Sequence, residues 1–159
     1  MSGSPQDSIA LTTWFQGEID KLYKIPQQAD FDAEFARLFT SDARIILDHV
    51  PVSVDELRST LAASQFAAVS QEVEWKDIQE KKVNEKDGES NEEIVAGCYI
   101  VTRSLKFRIR VTPAQTKSHV VFSAKIRAHS GHKKLTEFFI TIITKPVPVV
   151  LPHIPNVTS

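Results

Sequence analysis

The sequence predicts an α+β domain in which three helices near the N terminus pack against a strongly curved, mostly antiparallel sheet. Three observations predict it. Apolar residues recur at three- and four-residue steps as far as Phe39, a capping signature opens another helix at Ser53, and from Val69 onward the apolar period falls to two.

Leu11, Trp14, Phe15, Ile19 and Leu22 form one helical stripe within Ser8–Tyr23, and Pro26 ends that segment. Asp30 is the expected N-cap of a second helix, with Phe31, Phe35, Leu38 and Phe39 on one side. The β-branched run from Ala43 to Val50 reads as a short strand. Ser53 and Glu56 then have the capping-box spacing, in which each side chain satisfies the other's free backbone N–H, and Leu57 and Leu61 supply the buried side of the third helix.

Val69, Val73 and Trp75 alternate with Ser70, Glu72, Glu74 and Lys76, which predicts a strand with one face in the core. The stretch Asp77–Glu93, centred on Asp87-Gly88 and rich in Lys, Glu, Asp and Asn, reads as a long solvated hairpin connection. A long strand follows from Ile94 to Val111, stopped by Pro113, with Leu105, Phe107 and Ile109 facing away from Lys106, Arg108 and Arg110. Val120, Phe122, Ala124, Ile126 and Ala128 form the inner face of the next strand. Ser130-Gly131 turns the chain into a last strand carrying Phe138, Ile140 and Ile142 inward. The expected organisation is a flexible N terminus (1–7), a single domain (8–145) and a Pro-rich extended tail (146–159).

A chain of 159 residues that is 42% hydrophobic can bury one sizeable core. A net charge of -1 argues against general affinity for nucleic acid or an anionic membrane. Cys98 is the only cysteine, so an intramolecular disulfide is excluded, and the thiol is expected to be a small core residue. The polar start, Met1–Asp7, and the lack of a long apolar run predict a cytoplasmic protein. His49, His119, His129 and His132 match no ligand spacing, and neither a metal nor a cofactor is predicted.

Phe39-Thr-Ser-Asp-Ala43 running into a strand, Val54-Asp-Glu-Leu-Arg58 opening a helix, and Val73-Glu-Trp75 ahead of three long strands form a recognisable order. Over about Ile9 to Lys145 the chain resembles the nuclear transport factor two-like superfamily, which includes snoaL-like polyketide cyclases, ketosteroid isomerases and scytalone dehydratase. Val52-Ser53 stands where that family commonly has a glycine before the third helix. The resemblance implies a cone-shaped sheet whose open end is an apolar pocket used for catalysis or binding, and pairing of two copies through the sheet. It does not imply a reaction, because one fold hosts unrelated functions.

In ketosteroid-isomerase-like members an acid near the end of the first strand is the general base, which makes Asp48 the candidate catalytic residue. A gapless alignment puts Leu47 there instead, so Asp48 reaches a pocket only if a bulge restores the register. Otherwise Asp48 is a solvated strand end or a partner for Arg44. Scytalone-dehydratase-like members use a histidine where this chain has Phe66-Ala-Ala-Val69. Arg103 interrupts the apolar row of Tyr99, Val101 and Leu105; facing inward it would suit a carboxylate or enolate, whereas a bulge near Thr102 would turn it outward. Trp14, Tyr99, Arg103 and Phe122 are the candidate ligand-binding residues. Lys106, Arg108, Arg110, Lys125 and Arg127 form a basic group on adjacent strands, either neutralised by acids such as Glu72 and Glu74 or used in pairing two copies.

The primary expectation is a non-catalytic, homodimeric domain that binds a small apolar ligand or a protein partner through the cone. The alternative is a cofactor-independent isomerase, cyclase or dehydratase with Asp48 as base. Convergence of two or more polar groups on an enclosed apolar pocket would separate the two.

Overall fold

The computed structural model describes residues 10–83, 92–109, 112–129 and 131–148. Among them, α1 (Leu11–Lys24) and α2 (Gln28–Leu38) are followed by β1 (Phe39–Leu47), β2 (Val50–Val52) and α3 (Val54–Phe66). The long strands β3 (Ala68–Lys82), β4 (Glu92–Ile109), β5 (Thr112–His129) and β6 (His132–Pro146) complete the fold. The sheet order is β2-β1-β6-β5-β4-β3, parallel only between β1 and β6.

The helices lie on one face of this open sheet because each presents one apolar stripe. α1 buries Leu11, Phe15, Ile19, Leu22 and Tyr23, and α2 buries Phe31, Phe35 and Leu38. The facing row of the sheet is Val95, Tyr99, Val101, Val120, Phe122, Ala124, Leu135, Phe138 and Ile140, and together they form one core cluster. Register shifts add residues on β1, β3, β4 and β6 relative to their partners, which bends the sheet around the helices. At the shift between Trp75 and Asp77 the strands approach so closely that a Cβ on Gly97 would run into the Asp77 carbonyl oxygen. Glycine is required there for space.

Ser53 caps α3 as its spacing predicts, accepting from the Glu56 amide at 3.1 Å. Asp30 does not cap α2. That helix starts earlier, from an N-cap Gln27 without a side-chain bond, and leaves Asp30 in the first turn, where its charge complements the helix dipole.

The predicted strand 43–50 is instead a hairpin. Asp48 and His49 have φ of 51° and 68° and connect Leu47 to its partner Val50, as a two-residue turn with both central residues left-handed. Asp-His carries none of the glycine signal of such turns. β3 continues to Lys82, so Asp77–Lys82 belongs to a charged edge strand, where unpaired backbone groups are shielded from other chains. The Asp87-Gly88 turn, the first residues of the chain and most of the Pro-rich tail lie outside the described residues. Pro146 closes β6, and the Val147 amide still donates to the Gln115 carbonyl at 2.9 Å.

Candidate functional site

Inside the curve of the sheet, aromatic rings fill the space that a pocket would need. Phe15 stacks on Phe122 with centroids 4.9 Å apart, Phe122 meets Phe138, Phe138 meets Phe39, and Phe39 stacks on Phe35 at 4.7 Å. The space left between helices and sheet, bounded by Leu22, Phe31, Phe35, Leu135 and Ile140, is ≈ 20 Å³. That is room for about one water, and the apolar lining disfavours even one.

A larger space opens at the mouth, where α1 ends, α3 ends and β3 begins. This cleft holds ≈ 400 Å³. Ile25, Pro26, Phe66, Ala68 and Val69 form its apolar wall, and Tyr23, Gln65 and Gln71 its polar floor, with Lys24 and Ser70 beside them.

The floor is built by the end of α1, whose last carbonyls lack helical partners. The Gln65 amide nitrogen donates to the Leu22 and Ile25 carbonyls at 2.9 and 3.0 Å, which fixes the amide's orientation and leaves its Oε1 buried without a partner. Gln71 Nε2 donates to the Tyr23 carbonyl at 2.9 Å, and its Oε1 accepts from Arg103 Nε at 2.8 Å. Arg103 Nη1 donates to Ser118 Oγ at 2.7 Å, and Ser118 bonds Thr144 Oγ1 at the same distance. Arg103 is only 6% exposed, and among the described residues no carboxylate pairs with it. Burial lowers its pKa from the ordinary guanidinium value.

The hydroxyls of Tyr23 and Tyr99 are 3.1 Å apart. Burial raises the pKa of both phenols, and well above the ordinary value for Tyr99, where a Tyr23 phenolate would be a close like charge. Both are therefore neutral near pH 7, and neither is a ready base.

Comparison with solved structures finds the same architecture across nearly the whole chain. A scytalone-dehydratase-like protein from Novosphingobium aromaticivorans matches with a TM-score of 0.59 at 12% identity, over 92% of this chain and 96% of its own. The hexachlorocyclohexane dehydrochlorinase LinA-type3 from Novosphingobium barchaimii LL02 matches at 0.56 and 10% identity, over 89% and 96%. A calcium/calmodulin-dependent protein kinase II association-domain-like protein from Xanthomonas campestris reaches 0.61 at 8% identity, over 89% and 93%. What is shared with them is the fold, helices on one face of a curved, mostly antiparallel sheet. No protein-family model matches the sequence, and no curated protein matches it.

Within this frame the sequence-predicted residues separate. Tyr99 and Arg103 both face inward and are buried, Arg103 joined to the cleft floor through Gln71. No bulge at Thr102 turns Arg103 outward, since β3 and β4 stay in register from Ser70 to Trp75. Phe122 is a core residue between Phe15, Trp75, Tyr99 and Phe138. Trp14 is half-buried on α1, with the Lys133 ammonium 5.8 Å from its ring centroid. Neither Trp14 nor Phe122 lines the cleft.

Asp48 stands exposed in the β1–β2 turn, its amide donating to the Ile140 carbonyl and its Oδ1 accepting from the Ile142 amide, both at 2.9 Å. Arg44 does not pair with it and lies over the Phe139 ring, 5.5 Å from the centroid. The basic group is not a cluster. Arg108 pairs with Pro113 at one end of the β4–β5 ladder, while Arg127 pairs with Glu92 at the other. Lys125 bridges to Glu137 at 3.6 Å and Arg127 to Glu92 at 3.9 Å. The side chains of Phe107, Arg108 and His129 and the residue Arg110 lie outside what is described. Cys98 is only partly buried, on the outward row opposite Val121.

Sequence reasoning missed Tyr23, Gln65 and Gln71. For Gln71 a signal existed: it precedes Val73 and Trp75 in the alternating row, where a polar residue is unexpected, whereas Val69, predicted inward with them, is exposed because the register shifts between Ala68 and Ser70. Among the described residues no group of three His, Cys, Asp or Glu could hold a metal ion, and no helix is long and apolar enough to cross a membrane.

Proposed function

We propose that this is a non-catalytic binding domain that takes a small, largely apolar ligand in the cleft at the mouth of the cone. One observation carries the reading: a cleft of ≈ 400 Å³ with an apolar wall adjoins an interior with only ≈ 20 Å³ to spare. The first volume lies within the roughly 300–1,000 Å³ of small-molecule sites. Likeness of fold does not choose between binding and catalysis, since the structures of this shape include a dehydrochlorinase and an association-domain-like protein. The lining favours binding. It contains neither a carboxylate nor an imidazole, the one candidate base Asp48 is engaged with the Ile142 amide, and the cleft's phenol is neutral.

The test is calorimetric or NMR titration with octan-1-ol against wild type and Val69→Asp. Val69 is exposed on the cleft wall, so a charge there spoils the apolar surface without disturbing the core. Wild type should bind, and the variant about tenfold more weakly. Equal binding by both would remove the cleft from the account.

A second surface favours self-association. Val121, Ile143 and Phe139 are 60%, 54% and 38% exposed on the outward face of the central strands, around a shallow hollow of ≈ 450 Å³ that includes Ile46. A second copy is the occupant that fits. About a two-fold axis the strip of one copy covers the same strip of the other and takes its three apolar side chains out of water.

A further inference from the structure

We infer that the ligand of the mouth cleft carries a carboxylate and that Arg103 receives it. The inference rests on the mouth-cleft reading above and names the ligand's chemistry.

Arg103 is the motive. A guanidinium remains charged at any physiological pH, and burying a charge without a counter-ion is unfavourable because the lost hydration is not replaced. Among the described residues its neighbours are all neutral: Gln71 Oε1 at 2.8 Å, Ser118 Oγ at 2.7 Å, Thr144 behind Ser118, and the two phenols Tyr23 and Tyr99. An uncharged, mainly apolar side chain would fill this inward position as Val101 and Tyr99 do one and two steps earlier in the row. A cation there is explained by an anion that arrives from outside the chain.

Gln71 supplies the route. It lines the cleft, and its amide oxygen occupies one of the acceptor positions that a carboxylate takes when it bridges Nε and a terminal nitrogen of arginine. The incoming carboxylate replaces that neutral oxygen, and the half-buried Gln71 side chain turns away, releasing the Tyr23 carbonyl as well. One bond from the guanidinium to a neutral amide oxygen and one neutral bond to the Tyr23 carbonyl are exchanged for a bidentate ion pair, which is the stronger set. The ligand's apolar body then lies along Ile25, Pro26, Phe66 and Val69.

The head group is a carboxylate rather than a phosphate. A single planar guanidinium with neutral neighbours balances one negative charge, and a phosphate dianion would leave a second buried and unpaired. Lys24, at the rim, is the competing cation and needs its own control.

The experiment compares octanoate with octanamide, which has the same shape without the charge, by titration of isotope-labelled protein with the Arg103 Nε–Hε signal and the Gln71 side-chain amide in view. Octanoate should move both signals and bind about tenfold or more tightly than octanamide, the size of one charge-assisted contact. Arg103→Met should abolish the preference. Because that variant leaves Gln71 and Ser118 without their donor and puts the fold at risk, Gln71→Ala serves as a second: it frees Arg103 Nε and should tighten octanoate but not octanamide. Lys24→Ala should keep the preference. Equal affinity of the two probes, with shifts at Ala68 and Val69, overturns the carboxylate inference and leaves the cleft reading standing. Binding of neither overturns both. A preference lost in Lys24→Ala, or inorganic phosphate moving the Arg103 signal as far as octanoate does, also overturns it.

Discussion

The Asp48 carboxylate accepts the Ile142 backbone N–H at 2.9 Å, and this bond ties the β1–β2 turn to β6. It makes Asp48 a fastening of the sheet. Asp48→Ala removes the acceptor and places alanine at φ 51°, so it should cost about 1–2 kcal/mol in denaturant unfolding. Asp48→Asn keeps an oxygen and tolerates the left-handed backbone, and should cost less than about 0.5 kcal/mol. Equal losses in the two variants would mean that the bond is not what stabilises the turn.

The protein's two tyrosines are the hydrogen-bonded pair Tyr23 and Tyr99, so tyrosinate absorbance reports on this pair alone. Burial raises both folded-state pKa values, whereas the unfolded chain ionises near pH 10. Above that pH the native state holds protons that the unfolded state releases, so stability falls as pH rises and is unaffected by this pair below it. Tyrosinate should appear together with unfolding. Reversible ionisation of both rings near pH 10 in folded protein would contradict the burial.

Phe122 touches Phe15, Trp75, Tyr99 and Phe138, and belongs to the packed interior rather than to the cleft. Phe122→Ala should cost about 3–5 kcal/mol by chemical denaturation. A cost under about 1 kcal/mol would mean that the interior collapses around the gap or is not packed as described.

Phe139 and Val121 lie on the outward strip with side chains in solvent. If two copies pair there, Phe139→Glu should shift sedimentation toward the monomer while thermal unfolding of the monomer changes little. A mass that stays the same in wild type and variant counts against this interface.

Architecture was the legible part of the sequence. The stripe Leu11–Phe15–Ile19–Leu22 and the alternation through Phe122 and Ile126 specify faces by period alone, and the structure buries those faces. The site was harder to read. Arg103 stands out because a cation breaks an apolar row, whereas nothing in the sequence separates Trp14 and Phe122, large aromatics on apolar faces, from ordinary core residues. Gln65 sits on a helix of mixed character, and its task, meeting the last carbonyls of α1, exists only once α1 and α3 are docked. The supposed basic group failed for a related reason: facing direction follows from the sequence, but the register that puts Arg108 and Arg127 at opposite ends of a ladder does not.

The central claim is that ligands bind at the mouth while the interior stays closed. Methyl and amide NMR during titration with octan-1-ol tests it most directly. The account predicts shifts at Ile25, Ala68, Val69 and Gln71, with the methyls of Leu38, Leu135 and Ile140 unmoved. Shifts centred on Leu38, Leu135 and Ile140, with the mouth quiet, would put the ligand inside the cone and contradict it.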